Sequence, residues 1–333
     1  MRFQITKAQA SSTTLVSNIK AGSFRRSSSR VISLPKLGVL GSGLLASATL
    51  LAGCNYSNSA PVPFPNATTT TATLGGVVRV AYAGSLVGAM VNDIGPAFES
   101  ATGVGFQGLP GGSTALVNQI KSGTQAFDVF ISAAPSANSL LMGSANQNLV
   151  RWYLSLGVAP LVIGYNPSSK FASALKAGPW YTVMQQPGFL LGRTDPALDP
   201  KGVLVEKLLA DEATATSNPN LEAAVLGTPE NPAQVFPEET LVARLETGQL
   251  DAGFFYSNEA ALAHIPTIAT GVDLGAKFTI TILSNATDSL QAQAFVRFLY
   301  SKAGQKLLEK VGVTPVSPKL VGDPAALPKG LTL

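Results

Sequence analysis

Val77-Val78-Arg79-Val80-Ala81-Tyr82-Ala83-Gly84-Ser85-Leu86 is the stretch whose reading decides the rest of the chain. A mostly apolar, β-branched run leads into Ala81-Tyr82-Ala83, then a glycine turn, then a hydroxyl at the mouth of a segment with helical spacing. That is strand, turn, helix. The setting recurs 28 residues on, where Gly111-Gly112-Ser113-Thr114 follows the run 104–109 and precedes Ala115-Leu116-Val117-Asn118-Gln119-Ile120. A helix N-terminus carries unpaired N–H groups and about half a positive charge. Two such termini, each with a serine, can converge on one anion.

Working outward, strand-like and helix-like segments alternate. Strands are expected at 77–83, 104–109 and 128–133, with helices at 87–100, 114–122 and 135–143 between and after them. A second series runs through a strand at 159–165, a strand at 189–191 and a helix from Pro200 through Leu209. Then come a short helix near 221–226, an amphipathic helix at 237–248 and strands at 251–256 and 278–283. Helices at 289–300 and 302–311 close the body. Alternation at this spacing argues for an α/β fold with a mainly parallel sheet, whose ligands bind beyond the carboxyl ends of the strands. Both serine turns and Ser132 fall at such ends.

Composition agrees once the first 53 residues are set aside. The 333-residue chain is 46% hydrophobic, only 13% charged, and formally +4. Seven of its 23 basic residues (Arg2, Lys7, Lys20, Arg25, Arg26, Arg30, Lys36) and no acidic ones lie in 1–53, leaving 16 basic against 19 acidic, about −3. A mildly acidic body argues against nucleic-acid binding, which needs a basic surface. The leader has the parts of an export signal: basic residues, an apolar run over 37–53 and small residues at its end. It stops at Leu51-Ala52-Gly53-Cys54, which resembles the lipobox of bacterial lipoproteins, and Cys54 is the chain's single cysteine. The expectation is a signal peptide over 1–53, lipidation of Cys54 and a tether over 54–75 too poor in apolar residues to fold.

In order, the motifs add up to a family. The strand with Ala-Gly-Ser-Leu, then Gly-Gly-Ser, Phe-Asp-Val-Phe-Ile-Ser-Ala (127–133), Gly-Arg-Thr-Asp-Pro-Ala-Leu-Asp-Pro (192–200) and Phe255-Tyr256 make the body resemble the substrate-binding proteins of molybdate and tungstate ABC transporters. The resemblance implies a two-lobed type II periplasmic-binding-protein fold with a hinge and an interlobe cleft. Lobe one is then expected at 76–158 plus 276–333, and lobe two at 159–275. It implies a monomeric, exported carrier at the cell membrane, with a small oxyanion as cargo, an ABC permease as partner, no resident cofactor and no enzymatic step.

On that resemblance Ser85 and Ser113 touch the oxyanion, a role compatible with ordinary helix capping. Thr114 and Ser132 are further candidates. Asp199-Pro200-Lys201-Gly202 matches the family's Asp-Pro-x-Gly, whose aspartate joins the molybdenum or tungsten centre; the same residues read equally as an N-cap followed by Pro at N1. A second carboxylate is expected just before the tyrosine of 251–256, and there this chain has Phe255. Tyr256 either hydrogen-bonds the ligand or packs with its neighbours. Arg193 either adds positive field at the cleft or pairs with Asp195. Three rivals remain: the same fold carrying sulfate, phosphate or another small anion; a secreted serine hydrolase with Ser85 or Ser113 as nucleophile; and a purely structural surface lipoprotein with no cleft ligand. The second has only His264 as a base.

Overall fold

The computed structural model describes residues 74–329 and 331. The expected signal peptide, Cys54 and nearly all of the tether lie outside the described residues. Among those described, no helix is long and apolar enough to cross a membrane.

Among the described residues there are ten strands: β1 (Val77–Ala83), β2 (Gly105–Gly111), β3 (Val129–Ser132), β4 (Trp152–Tyr165), β5 (Leu191–Gly192), β6 (Ala252–Tyr256), β7 (Thr267–Ala269), β8 (Gly275–Ile282), β9 (Thr314–Pro315) and β10 (Leu320–Gly322). β1 pairs in parallel with β2 on one side and β3 on the other. That places the switch in strand order at β1, where the turns after β1 and β2 open at the same end of the sheet. The register sets Ala83 opposite Gly111, so Gly84-Ser85 and Gly112-Ser113 leave neighbouring strands side by side. Adjacent strands lie only about 4.8 Å apart.

The sheet is mixed rather than mainly parallel, and β4 explains why. Its first part pairs antiparallel with β8 up to Pro160, and its last five residues pair antiparallel with β6. One 14-residue strand therefore belongs to two sheets, and β8 returns beside it. The sequence reading began this strand at Ala159 and missed the buried run Trp152–Leu154 that carries it through the first sheet. Helices Ala172–Ala177 and Trp180–Met184 were also missed.

Local chemistry accounts for most elements. Helix Ser289–Tyr300 buries Ala292, Phe295, Val296 and Leu299, the i, i+3, i+4, i+7 stripe of an amphipathic helix. Phe295 meets Phe98 edge-to-face at 5.0 Å. Burying such a ring is worth about 1.5–3 kcal/mol, so truncating Phe295 would loosen the layer that backs β1. Helix Ser113–Ser122 ends at Gly123 in the left-handed region (φ 63°), which glycine adopts without a Cβ penalty. Helix Pro200–Ala215 begins as its sequence suggests, with Asp199 accepting from the Lys201 N–H and Pro200 in the first turn.

Candidate ligand-binding site

The two sheets present their loops to one another across a cleft. From the first sheet come the turn Gly84–Leu86 and the N-terminus of helix Ser113–Ser122. From the second come the N-terminus of helix Pro200–Ala215, the turn Glu238–Thr240 and Tyr256 with the helix Ser257–Leu262 that follows it. Several helix starts thus border one region, where the positive ends of the helix dipoles favour negative charge.

Contact across the cleft is close. The Ala115 N–H donates to the Leu198 carbonyl (2.9 Å), and Asn258 Nδ2 donates to the Ser85 carbonyl (2.7 Å). Gly112 and Gly84 are what permit this approach. A Cβ on Gly112 would stand 2.5 Å from the Leu198 oxygen and 3.1 Å from Asp199 Oδ2, and one on Gly84 would stand 2.5 Å from Glu238 Cγ. Asp199 therefore faces the Gly112-Ser113 turn, and Glu238 faces the Gly84-Ser85 turn.

At the centre of the second side lies Lys201, fully buried. Its Nζ donates to both oxygens of Glu259 (3.1 and 2.9 Å) and lies 2.8 Å from Glu238 Oε1. Glu259 also accepts the Tyr256 N–H (2.8 Å) and so is fully engaged. Glu238 is less so: only 4% exposed, it has the Lys201 ammonium at Oε1 as its one partner, and its Oε2 receives no hydrogen bond. The hydroxyls of Ser85 and Tyr256 are likewise buried without partners. Leaving such groups unpaired costs about 1–3 kcal/mol each. A pocket of about 290 Å³, lined by Ser85, Val87, Glu238, Val242 and Leu262, adjoins it.

Residues 78–314 match the family described as bacterial extracellular solute-binding protein. The chain belongs to that family. This solute-binding protein is 29% identical to an uncharacterized solute-binding protein of Halobacterium salinarum, over 76% of its own length and 89% of the relative's. It is 25% identical to the molybdate/tungstate-binding protein of Thermococcus kodakarensis, over 82% and 89%. The periplasmic molybdate-binding protein of Azotobacter vinelandii shares its fold (TM-score 0.53, 18% identity, 73% of this chain and all of that one). So does the sulfate-binding protein of Mycobacterium tuberculosis (TM-score 0.52, 19% identity, 75% and 88%). The fold is the two-lobed one of periplasmic binding proteins, and the cleft of this solute-binding protein lies between the lobes.

Electrostatics in the cleft follow from burial. Desolvation raises the Asp199 carboxyl above its ordinary range; the Lys201 charge, the Lys201 N–H and the Thr194 hydroxyl pull the other way. Desolvation, then Glu259, raise Glu238 well above the carboxylate range. Burial alone would lower the Lys201 ammonium, but Glu238, Glu259 and Asp199 together outweigh it and hold it above the usual lysine value. Tyr256 is raised by burial and then by the same three carboxylates, so its phenol stays protonated, a donor.

Of the residues singled out from sequence, Ser85, Ser113, Asp199 and Tyr256 border the cleft of the solute-binding protein. Ser113 Oγ accepts from the Ala133 N–H (3.0 Å), which orients it and leaves its own proton free. Thr114 is half-buried and lines a separate pocket of about 360 Å³ with Pro135, Pro200 and Val203. Ser132 is not brought into the group. It sits opposite Thr279 of the antiparallel neighbour β8, and its hydroxyl is engaged by the Ala134 carbonyl, Thr279 Oγ1 and Asn138 Nδ2.

Arg193 does not pair with Asp195; its guanidinium donates to the carbonyls of Thr228 and Pro229 and to Gln234 Oε1, pinning that loop. His264 is exposed in the left-handed region (φ 54°) and bonds neither serine. Phe255 packs with Leu241, Leu245 and Leu250. The further carboxylate in the cleft is Glu238, reached from another element 17 residues earlier. Its one sequence signal is an acidic pair just after Pro237 at a helix start, which also reads as dipole complementation.

Proposed function

We propose that this protein is an extracytoplasmic carrier that captures molybdate or tungstate between its lobes and delivers it to an ABC permease, without covalent chemistry. On this reading lobe one is 76–158 with 276–333, lobe two is 159–275, and a lipid on Cys54 holds the body at a membrane. The observation that carries it is the set of buried oxygens without a hydrogen bond on the elements that border the cleft, Ser85 Oγ, Tyr256 OH and Glu238 Oε2, with Asp199 against the Gly112-Ser113 turn.

Hydroxyls and helix N–H groups suit an oxyanion; two carboxylates do not, unless the central atom accepts them. A carboxylate 4 Å from a dianion at an effective dielectric constant near 20 is repelled by about 8 kcal/mol. Molybdenum and tungsten can add oxygen ligands to their four, whereas sulfur and phosphorus in their tetraoxo anions do not. Asp199 and Glu238 would then become ligands of the centre rather than its repellers. The molybdate/tungstate-binding relative supports the same cargo.

Thermal-shift titration tests this. At a thousandfold excess over Kd, a ligand that binds only the folded state adds about 4 kcal/mol. For a body of this size that raises Tm by roughly 8–16 °C. Molybdate and tungstate are expected to do so, and sulfate and phosphate at equal concentration are not. A shift with sulfate or phosphate but not with molybdate would defeat the reading.

A further inference from the structure

Lys201 occupies the unspecified position of Asp-Pro-Lys-Gly, and the binding scheme above gives it no role. Yet it is the one lysine fully buried among the described residues, and it is surrounded by the groups that border the cleft. Its Nζ holds both oxygens of Glu259, stands 2.8 Å from Glu238 Oε1, and lies 5.2 Å from the centre of the Tyr256 ring. Arg193, the other fully buried cation, is committed to carbonyls of the 228–234 loop. The cleft therefore has a single side-chain cation set among Asp199, Glu238 and Glu259.

We propose that Lys201 is the residue that sets the charge selectivity of the site, favouring tetraoxo dianions over monoanions of the same shape. The inference rests on the oxyanion reading above. Hydroxyl and amide donors grip a tetrahedral oxyanion through the same contacts whether it carries one negative charge or two. Against three carboxylates the second charge is a liability, and only a fixed positive charge nearby turns it into an advantage. Lys201 cannot swing out of the cleft to solvent, because the Glu259 clamp and the rings of Phe255 and Tyr256 enclose it. It acts through its field on Glu238 and the ligand, as a positioning residue. A unit charge about 6 Å from the ligand centre, at an effective dielectric constant near 20, changes the preference for the second charge by about a hundredfold.

Tungstate and perrhenate make the test, since both are tetrahedral tetraoxo anions of closely similar size, one a dianion and the other a monoanion. Calorimetric titration of the full chain with each ion yields the ratio of their affinities. Lys201→Met is expected to lower the tungstate-to-perrhenate ratio about a hundredfold, and Lys201→Arg to keep it within about threefold. Glu259→Gln leaves the ammonium less neutralised and is expected to raise the ratio. A purely structural lysine would weaken both ions equally on Lys201→Met and leave the ratio unchanged, which overturns the proposal. If Lys201→Met does not fold, the neutral pair Lys201→Gln with Glu259→Gln is compared with Glu259→Gln alone: a ratio about a hundredfold lower without the ammonium supports the proposal, and a level ratio overturns it. Should the parent bind neither ion, the oxyanion reading fails and takes this inference with it. A parent that binds tungstate with a ratio indifferent to these variants defeats only the role of Lys201.

Discussion

Glu238→Gln separates the demands of folding from those of binding. In the unliganded protein this carboxylate is buried, shares the one Lys201 ammonium with Glu259, and leaves Oε2 without a hydrogen bond. An unsatisfied buried polar group costs about 1–3 kcal/mol, and more when charged. Lys201 keeps its two bonds to Glu259 in the variant, so no cation is orphaned. Taking about 1 kcal/mol as the net relief, the unliganded variant should melt roughly 2–4 °C above the parent at pH 7.

The pH dependence has a definite sign. Burial raises the Glu238 carboxyl in the folded state, so across the window above the ordinary glutamate value of about 4.3 the folded chain binds more protons than the unfolded one. Its contribution to stability therefore falls as pH rises through that window. The advantage of Glu238→Gln should be near zero at pH 4 and grow towards pH 7. Scanning calorimetry from pH 4 to 8 without ligand measures this, and the same scan with molybdate should show the variant's ligand-induced shift largely lost. A variant that melts several degrees lower at pH 7, or keeps the parent's full shift with molybdate, would show that the contact with Lys201 supports the fold and that Glu238 is no ligand.

The two serines should part company under alanine substitution. Ser113→Ala strands the buried Ala133 N–H and should cost the unliganded protein about 1–3 kcal/mol in chemical denaturation, whereas Ser85→Ala removes a buried hydroxyl with no partner and should raise that stability while weakening oxyanion binding. Tyr256→Phe should likewise raise the melting temperature of the unliganded protein and reduce tungstate affinity by roughly tenfold, the worth of one hydrogen bond to a charged acceptor. Gly84→Val places a side chain where Glu238 Cβ and Cγ now stand; it should hold the lobes apart and abolish the ligand-induced shift, with far-ultraviolet circular dichroism unaltered. Phe295→Ala should destabilise the body by about 3–5 kcal/mol without touching anion selectivity, read from denaturant midpoints and titration together.

Sequence alone determined what depends on near neighbours. The strand Val77–Ala83, the helices Leu221–Leu226 and Ser289–Tyr300, and the cap Asp199-Pro200 all stand where periodicity and capping chemistry put them, because those rules act within one turn or one pleat. The two serine turns were legible for the same reason, and β-strand register then set them side by side. What only the tertiary structure decided is which distant groups meet. Ser132 was lost to the site because an antiparallel strand from 147 residues away supplied Thr279 as its partner. Arg193 was taken by a loop rather than by Asp195. Glu238, Lys201 and Glu259, drawn from three separate helix starts, became one buried charge cluster. An ion pair is a matter of distance and dielectric in space, and nothing in the spacing of those three residues along the chain encodes either.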